Sequence, residues 1–248
     1  MIDEKGFYSY IDAFMNFIYP RNIFCIVCGA SITKTEKYSM CYECREKTPF
    51  ITAGECEKCG KPLESLYLPS ECPDCIRGEH LFDRGYSCVE YNEQMKQLVY
   101  KLKYGKQRYI AYHLAEIMSD KLIKIGLENI DVIIPVPLHK KKLREREFNQ
   151  AQLISKYIAK ARGWHVEDKN LIRTKMTLSQ NKLSKDERKD NVKNAFLLTK
   201  KEELTGKNIL LVDDIYTTGS TFNACCKELQ KAKPKAIHVI TFTTGRNV

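Results

Sequence analysis

The sequence predicts an α/β fold, a parallel sheet flanked by helices, preceded by a small cysteine-rich module. Three observations lead there. From residue 84 onward, short apolar runs alternate with segments of helical spacing. Residues 207–213 (KNILLVD) are close to a continuous apolar run, as a central parallel strand requires. Eight of the eleven cysteines fall into four Cys-x-x-Cys pairs within the first 75 residues. At 248 residues, with 43% hydrophobic and 29% charged side chains, the composition excludes wholesale disorder. No run approaches the roughly 20 apolar residues of a membrane helix.

Residues 1–24 read as an amphipathic helix: the apolar stretch from Phe7 to Tyr19 is interrupted by Asp12 and Asn16. Asp3 and Glu4 stand where a secretory signal would carry positive charge, so the expected location is cytoplasmic. A reducing compartment does not favour structural disulfides, so the cysteines need another role. The pairs are Cys25/Cys28, Cys41/Cys44, Cys56/Cys59 and Cys72/Cys75, and the last four repeat the first four at an offset of 31. Gly29 and Gly60 follow two of the pairs and allow the tight turn that turns amides toward a thiolate. A redox Cys-x-x-Cys would occur once, not four times at matched spacing. Four thiolates per tetrahedral ion give two structural zinc ions and a double zinc ribbon over residues 25–80. Sequential pairing is the simpler arrangement, and a cross-brace of alternating pairs stays open. With few large apolar residues, the module is expected to fold on its metal. Cys88, Cys225 and Cys226 read as small buried residues.

Over residues 81–248, the expected α/β domain, residues 84–91 read as a strand. Met95, Leu98, Val99 and Leu102 mark a helix, and Ile110, Leu114, Ile117, Met118 and Leu122 a second. Residues 131–137 (DVIIPVP) form an apolar run ended by prolines, followed by a helix through Ala151, Ile154 and Ile158. Residues 219–231 read as a helix and 236–243 as a last strand. Residues 174–190 are polar and aperiodic, a length more typical of a working lid than of a filler. Charge divides unevenly: residues 1–80 carry −3 and residues 81–248 carry +13. Each zinc with four thiolates adds roughly −2 to the first part, so an electrostatic footprint for a polyanion lies on the second. The zinc module is therefore expected to dock, brace or recruit.

The most informative segment is residues 210–221, LLVDDIYTTGST. A buried strand delivers Asp213 and Asp214 to the sheet edge where open α/β sheets bind ligands. Thr217, Thr218, Gly219, Ser220 and Thr221 then supply hydroxyls, a glycine and a helix N-terminus, the makings of a phosphate cradle. Carboxylates beside a phosphate site suit a ligand with neighbouring hydroxyls, as a ribose phosphate has. The Walker spacing is missing. Phospho-acceptor receiver domains also carry Val-Asp-Asp at a strand end, but near their start and without a following Thr-Thr-Gly-Ser-Thr loop.

This strand-Asp-Asp-x-x-Thr-Thr-Gly-x-Thr arrangement resembles the 5-phosphoribosyl pyrophosphate (PRPP) signature of type I phosphoribosyltransferases. The remaining segments resemble the ComF family of competence-associated proteins, which carry an N-terminal double zinc ribbon. They are Leu102-Lys-Tyr-Gly105; Pro135-Val-Pro-Leu-His139 running on to Arg144-Glu-Arg-Glu-Phe-Asn-Gln150; and Leu171-Ile-Arg173 with Gln180, Leu183, Arg188, Asn191 and Ala195-Phe196. The family usually has glycine where this chain has Glu147, which puts the local backbone in question.

The resemblance implies that Asp213 and Asp214 accept from the ribose hydroxyls, with Mg²⁺ entering alongside PRPP. It implies that Thr217, Thr218, Gly219, Ser220 and Thr221 hold the 5′-phosphate. Pro135, Val136, Pro137 and Leu138 would form the pyrophosphate loop, extended by the basic run with Lys140, Arg144 and Arg146. That run is either an anion contact or simply a solvated charged face. Gln180 and Lys182 are the lid candidates, and no general base stands out. Three functions follow: a protein of DNA uptake and recombination in natural transformation that binds PRPP and single-stranded DNA, with partners in the uptake machinery; a phosphoribosyltransferase on an unidentified base or nucleotide acceptor; or a zinc-ribbon adaptor. The +13 balance favours the first, and the second stands next.

Overall fold

The computed structural model describes residues 22–33, 35–63, 70–78, 80–176 and 194–245. The N-terminal helix expected over residues 1–24 falls almost wholly outside these, as do Gln180 and Lys182 of the expected lid.

The cysteine-rich module consists of two copies of one unit. Each begins with a bridged turn, Phe24 to Ser31 in the first copy and Glu55 to Pro62 in the second. Each ends on a short helix opening just after a cysteine, α1 (Tyr42–Glu46) after Cys41 and α2 (Pro73–Arg77) after Cys72. These features repeat at the same offset of 31 as the cysteines.

Five parallel strands make the main sheet. Their order is β1 (Arg84–Glu90), β7 (Ala236–Thr244), β6 (Asn208–Tyr216), β2 (Val132–Pro135) and β3 (His165–Val166). A separate antiparallel ribbon pairs β4 (Leu171–Arg173) with β5 (Phe196–Leu198). The helices are α3 (Glu93–Tyr104), α4 (Ile110–Lys124), α5 (Lys140–Arg146), α6 (Gln150–Arg162) and α7 (Ser220–Leu229). Strand periodicity divides the core into two layers. Leu210 and Val212 pack with Leu114, Met118 and Ile158 on one face, while Ile209 and Leu211 pack with Phe222 and Leu229 on the other. α3 starts where the Asn92 side chain accepts from Met95 N at 2.9 Å, and it buries the expected Met95, Leu98, Val99 and Leu102. Cys88, Cys225 and Cys226 are buried.

The strand order locates a ligand site. From β2 the chain moves outward to β3, and from its neighbour β6 it moves the opposite way to β7. The carboxyl ends of β2 and β6, in register at Pro135 and Val212, therefore flank the switch point of the sheet.

The cysteine-rich module straddles the sheet edge. Phe50 bridges Val89 antiparallel, Ile51 N donates to Cys88 O at 2.9 Å, and Glu90 N donates to Pro49 O at 2.9 Å. This covers the outer backbone of β1, which would otherwise be an open edge. Ile26 and Met40 of the first copy join the core on the α4 side, and the second cysteine group joins the core on the α7 side. Gly60 is required at that contact: a Cβ there would lie 2.6 Å from Gly85 O. Lys121 adds a partly buried ion pair to Glu55 at 2.6 Å and a hydrogen bond to Ile51 O at 3.1 Å.

One expectation about local structure changes. The sequence places the basic run in a loop, and residues Lys140–Arg146 instead form helix α5. Lysine, arginine, glutamate and leucine are all good helix formers, and His139 Nδ1 caps the first turn by accepting from Lys141 N at 3.3 Å. The helix ends at Glu147, which is left-handed at φ 68°.

Candidate functional site

The cysteines gather sequentially, Cys25, Cys28, Cys41 and Cys44 in one group and Cys56, Cys59, Cys72 and Cys75 in the other, so the cross-brace is excluded. In a tetrahedron with Zn–S bonds of about 2.3 Å the sulfurs stand about 3.8 Å apart. The sulfur separations fit: 3.8 Å for Cys28–Cys41, 3.6 Å for Cys56–Cys75, 3.7 Å for Cys59–Cys72 and 3.5 Å for Cys72–Cys75. The thiol chemistry fits as well. Burial opposes ionisation of Cys25, but amides of Cys28, Cys41 and Val27 outweigh it and bring the thiol down to about 7. In the second group the neighbouring sulfurs hold Cys56 and Cys72 low while they push Cys59 and Cys75 high. Four thiols packed this tightly ionise together only around a cation. Both groups are therefore fitted to structural zinc. They differ in access: Cys28 of the first is exposed, whereas all four cysteines of the second are buried.

At the switch point lies a cleft of about 200 Å³. β6 runs straight through Asp213 and Asp214, so the two carboxyls leave the strand on opposite faces, and Asp214 N donates to Asp213 Oδ1 at 2.9 Å. Burial works against an Asp214 charge, but Lys103 Nζ, 2.5 Å from Oδ2, outweighs it and holds the carboxyl below its ordinary value. Burial, with the Asp214 charge behind it, pushes Asp213 up to about 8. Burial and the Asp214 charge thus oppose a charge on Asp213, Lys103 favours one on Asp214, and both carboxyls line the cleft, where they can accept from a diol or hold a cation.

The phosphate-cradle residues follow. Thr217 and Thr221 line the cleft, Thr218 Oγ1 lies 2.5 Å from Ser220 Oγ, and Ser220 opens α7 behind Gly219. Gly219 is left-handed at φ 75°, and a Cβ there would lie 2.6 Å from Tyr216 Oη and 2.8 Å from His80 Cε1. His80 comes from the end of the zinc module, and Tyr216 packs in the same core as the second cysteine group. The cradle therefore rests on that group. Across the cleft, Asn149 donates to Val136 O at 3.0 Å and caps α6 through Ala151 N, tying the Pro-Val-Pro turn to the helix behind it.

Comparison with known proteins agrees with this architecture. Residues 14–79 match the family described as a double zinc ribbon domain, and residues 111–247 match the phosphoribosyl transferase domain family. The chain is 32% identical over 232 residues to competence protein F of Haemophilus influenzae, spanning 91% of this chain and 97% of that one. This chain belongs to the ComF family. It is also 28% identical over 244 residues to competence protein ComFC of Bacillus subtilis, spanning 92% and 96% of the two chains. A Salmonella typhimurium relative, the DNA utilization protein YhgH, is 32% identical over 170 residues, 67% of this chain and 73% of its own.

The ComF cleft does not gather the basic run as a unit. Arg146 lines it with Val136 and Leu138, while Pro135, Pro137 and Lys140 face a neighbouring cavity of about 460 Å³ beyond Leu138, and Arg144 lines neither. Helical spacing explains the split, since only Lys142 and Arg146, four apart, share the cleft side of α5. Lys142 of the basic run lines the cleft with Arg146, and three cations beyond that run join them: Lys96 and Lys103 from α3 and Arg173 from β4. Burial and the adjacent Arg173 and Arg146 depress Lys142, so the cations crowd one another. Lys103 lies within the Leu-Lys-Tyr-Gly segment and Arg173 ends Leu-Ile-Arg, so both motifs were visible; their convergence on Asp214 and Asp213 was not. Glu147, at the family's glycine position, keeps the left-handed backbone, and its carboxylate pairs with Lys106 and with Arg108.

Proposed function

We propose that this ComF chain binds PRPP with Mg²⁺ in the cleft between β2 and β6, and handles single-stranded DNA in the cytoplasm during DNA uptake and recombination. One observation carries the reading: the carboxyls of Asp213 and Asp214 share a cleft with Thr217 and Thr221 of the Thr-Thr-Gly-Ser-Thr turn and with five cations, Lys96, Lys103, Lys142, Arg146 and Arg173. Each part answers one part of a phosphorylated sugar. Asp213 and Asp214 would receive the ribose hydroxyls, and Thr217, Thr218, Gly219, Ser220 and Thr221, at the N-terminus of α7, the 5′-phosphate. Lys142, Arg146 and Arg173, crowded together without ligand, would neutralise a pyrophosphate beside Val136 and Leu138. Asp213 and Asp214 would help hold Mg²⁺ entering with the ligand, and the ion would supply positive charge against its phosphate groups. The relatives named for competence and DNA utilization, together with the +13 balance of residues 81–248, support the DNA role.

The test is calorimetric titration of PRPP with Mg²⁺ into the zinc-loaded protein and into the Asp213→Asn/Asp214→Asn variant. Binding that the variant loses supports the reading; no binding to the intact protein removes it and moves an adaptor role to the front. A second reading, turnover onto a base or nucleotide acceptor, is favoured by the cavity of about 460 Å³ that shares Leu138 and Arg173 with the cleft and leaves room for a second reactant. Pyrophosphate release on adding bases with PRPP would identify it.

A further inference from the structure

Three tyrosines rim the cleft on the side where β1 runs into α3. Tyr91, Tyr100 and Tyr104 all line its mouth and are 40%, 62% and 54% exposed. Single exposed aromatics are ordinary, but three converging on the mouth of a cation-lined cleft form a patch with a purpose. Tyr100 and Tyr104 stand one helical turn apart on α3, with ring centroids 5.0 Å apart and planes tilted by 41°. Arg146 orients the second ring, its guanidinium 4.8 Å from the Tyr104 centroid and its Nη2 donating to Tyr104 Oη at 2.9 Å. Aromatic surface and positive charge therefore meet at one side chain.

We infer that Tyr100 and Tyr104 are a stacking platform for the bases of a single-stranded nucleic acid whose phosphates run onto Lys142, Arg146 and Arg173 in competition with PRPP. The inference rests on the proposed DNA role and adds the place where the strand is held. Two demands are met together here. Every base offers a π-face that stacks on an exposed aromatic whatever the sequence, and every linking phosphate needs a cation nearby. A duplex keeps its base faces stacked inside, so this surface selects single strands. Lys142 and Arg146, on one side of α5 at the cleft, offer a polyanion opposite charge beside the rings, which an apolar protein face would leave unmatched.

The experiment is fluorescence anisotropy with a labelled oligothymidine of about 15 nucleotides on the zinc-loaded full chain. Tyr100→Ala/Tyr104→Ala should weaken binding by about tenfold or more. Its dependence on salt should be unchanged, because no phosphate contact is removed. Tyr100→Phe/Tyr104→Phe keeps the rings and should bind close to the wild type. An abasic strand of the same length should bind the wild type about as weakly as the alanine variant binds oligothymidine. The platform is overturned if the abasic strand, or a duplex, binds the wild type as tightly as oligothymidine does, or if the alanine variant loses nothing. The abasic and phenylalanine arms decide the matter even if the alanine variant misfolds. PRPP titration of the same preparation separates the two failures: PRPP binding without base-dependent strand binding overturns the platform alone, and binding of neither overturns the proposed function with it.

Discussion

Gly219→Ala isolates the link between the phosphate cradle and the second cysteine group. The substitution acts in two ways. Placing a β-carbon on a left-handed residue costs about 1 kcal/mol. The new Cβ also meets Tyr216 Oη at 2.6 Å and His80 Cε1 at 2.8 Å, so one of them has to move. Tyr216 is almost fully buried and wedged between rings of His80, Phe82 and Phe222, with Phe222 nearly parallel at 6.0 Å. Relieving such an overpacked contact costs a further 1–3 kcal/mol or so, for a total of about 2–4 kcal/mol. Gly163→Ala is the control, since Gly163 is equally left-handed at φ 70° and a Cβ there would meet nothing within 4 Å. Thermal unfolding under excess zinc should lower Tm by about 2–4 °C for Gly163→Ala and by two to four times that for Gly219→Ala. Tyr216→Phe in the Gly219→Ala background removes the closer contact and should recover part of the difference. Because the cradle leans on residues packed against Cys56, Cys59, Cys72 and Cys75, Gly219→Ala should also speed zinc release from that group to a chromogenic chelator. If Gly219→Ala costs no more than Gly163→Ala, the close packing of cradle on zinc module is refuted.

Three other outcomes follow from the same geometry. Chelator should remove zinc in two phases, the Cys25/Cys28/Cys41/Cys44 ion first because Cys28 is exposed, with Cys28→Ser abolishing the fast phase and single-phase release of both ions contradicting the order. Asp213 has its folded-state pKa raised to about 8, so the native protein holds a proton that the unfolded chain releases between roughly pH 4 and 8. Its contribution therefore becomes more unfavourable as pH rises through that window, and Asp213→Asn should be more stable than the wild type by a margin that grows from pH 5 to pH 8, at most about 1.4 kcal/mol per pH unit; a margin independent of pH in urea unfolding would dispose of the raised pKa. Glu147→Gly relieves a left-handed backbone but gives up the pairs to Lys106 and Arg108, which are exposed and screened by solvent; Tm should rise slightly, and a fall would show that those pairs outweigh the strain.

Much of this architecture can be read in the linear chain, because its signals are local. Cysteine spacing at an offset of 31 carried both the two four-cysteine groups and the doubled unit, since a metal site of this kind is a short-range turn followed by a helix. The alternation of apolar runs with helical spacing carried the parallel sheet, and residues 210–221 carried the carboxyl pair and the cradle, because strand, turn and helix N-terminus are contiguous there. The basic run misled as to its conformation: seven residues without alternating apolar positions show no buried face, and their helical state depends on propensity and on the cap at His139.

What tertiary structure alone decided is everything that joins distant segments. Lys103, Lys142, Arg146 and Arg173 come from three different elements, and no spacing rule says that they meet at Asp213 and Asp214. Exposure is equally a property of the assembled chain: the 14 tyrosines look alike in sequence, and only packing leaves Tyr100 and Tyr104 bare at the cleft while it buries Tyr216. The place of the zinc module, across the β1 edge and behind the phosphate cradle, follows from which apolar faces found each other when the chain collapsed. Hydrophobic burial is non-directional, so it is legible in the sequence as a need for partners but names them only when the layers close.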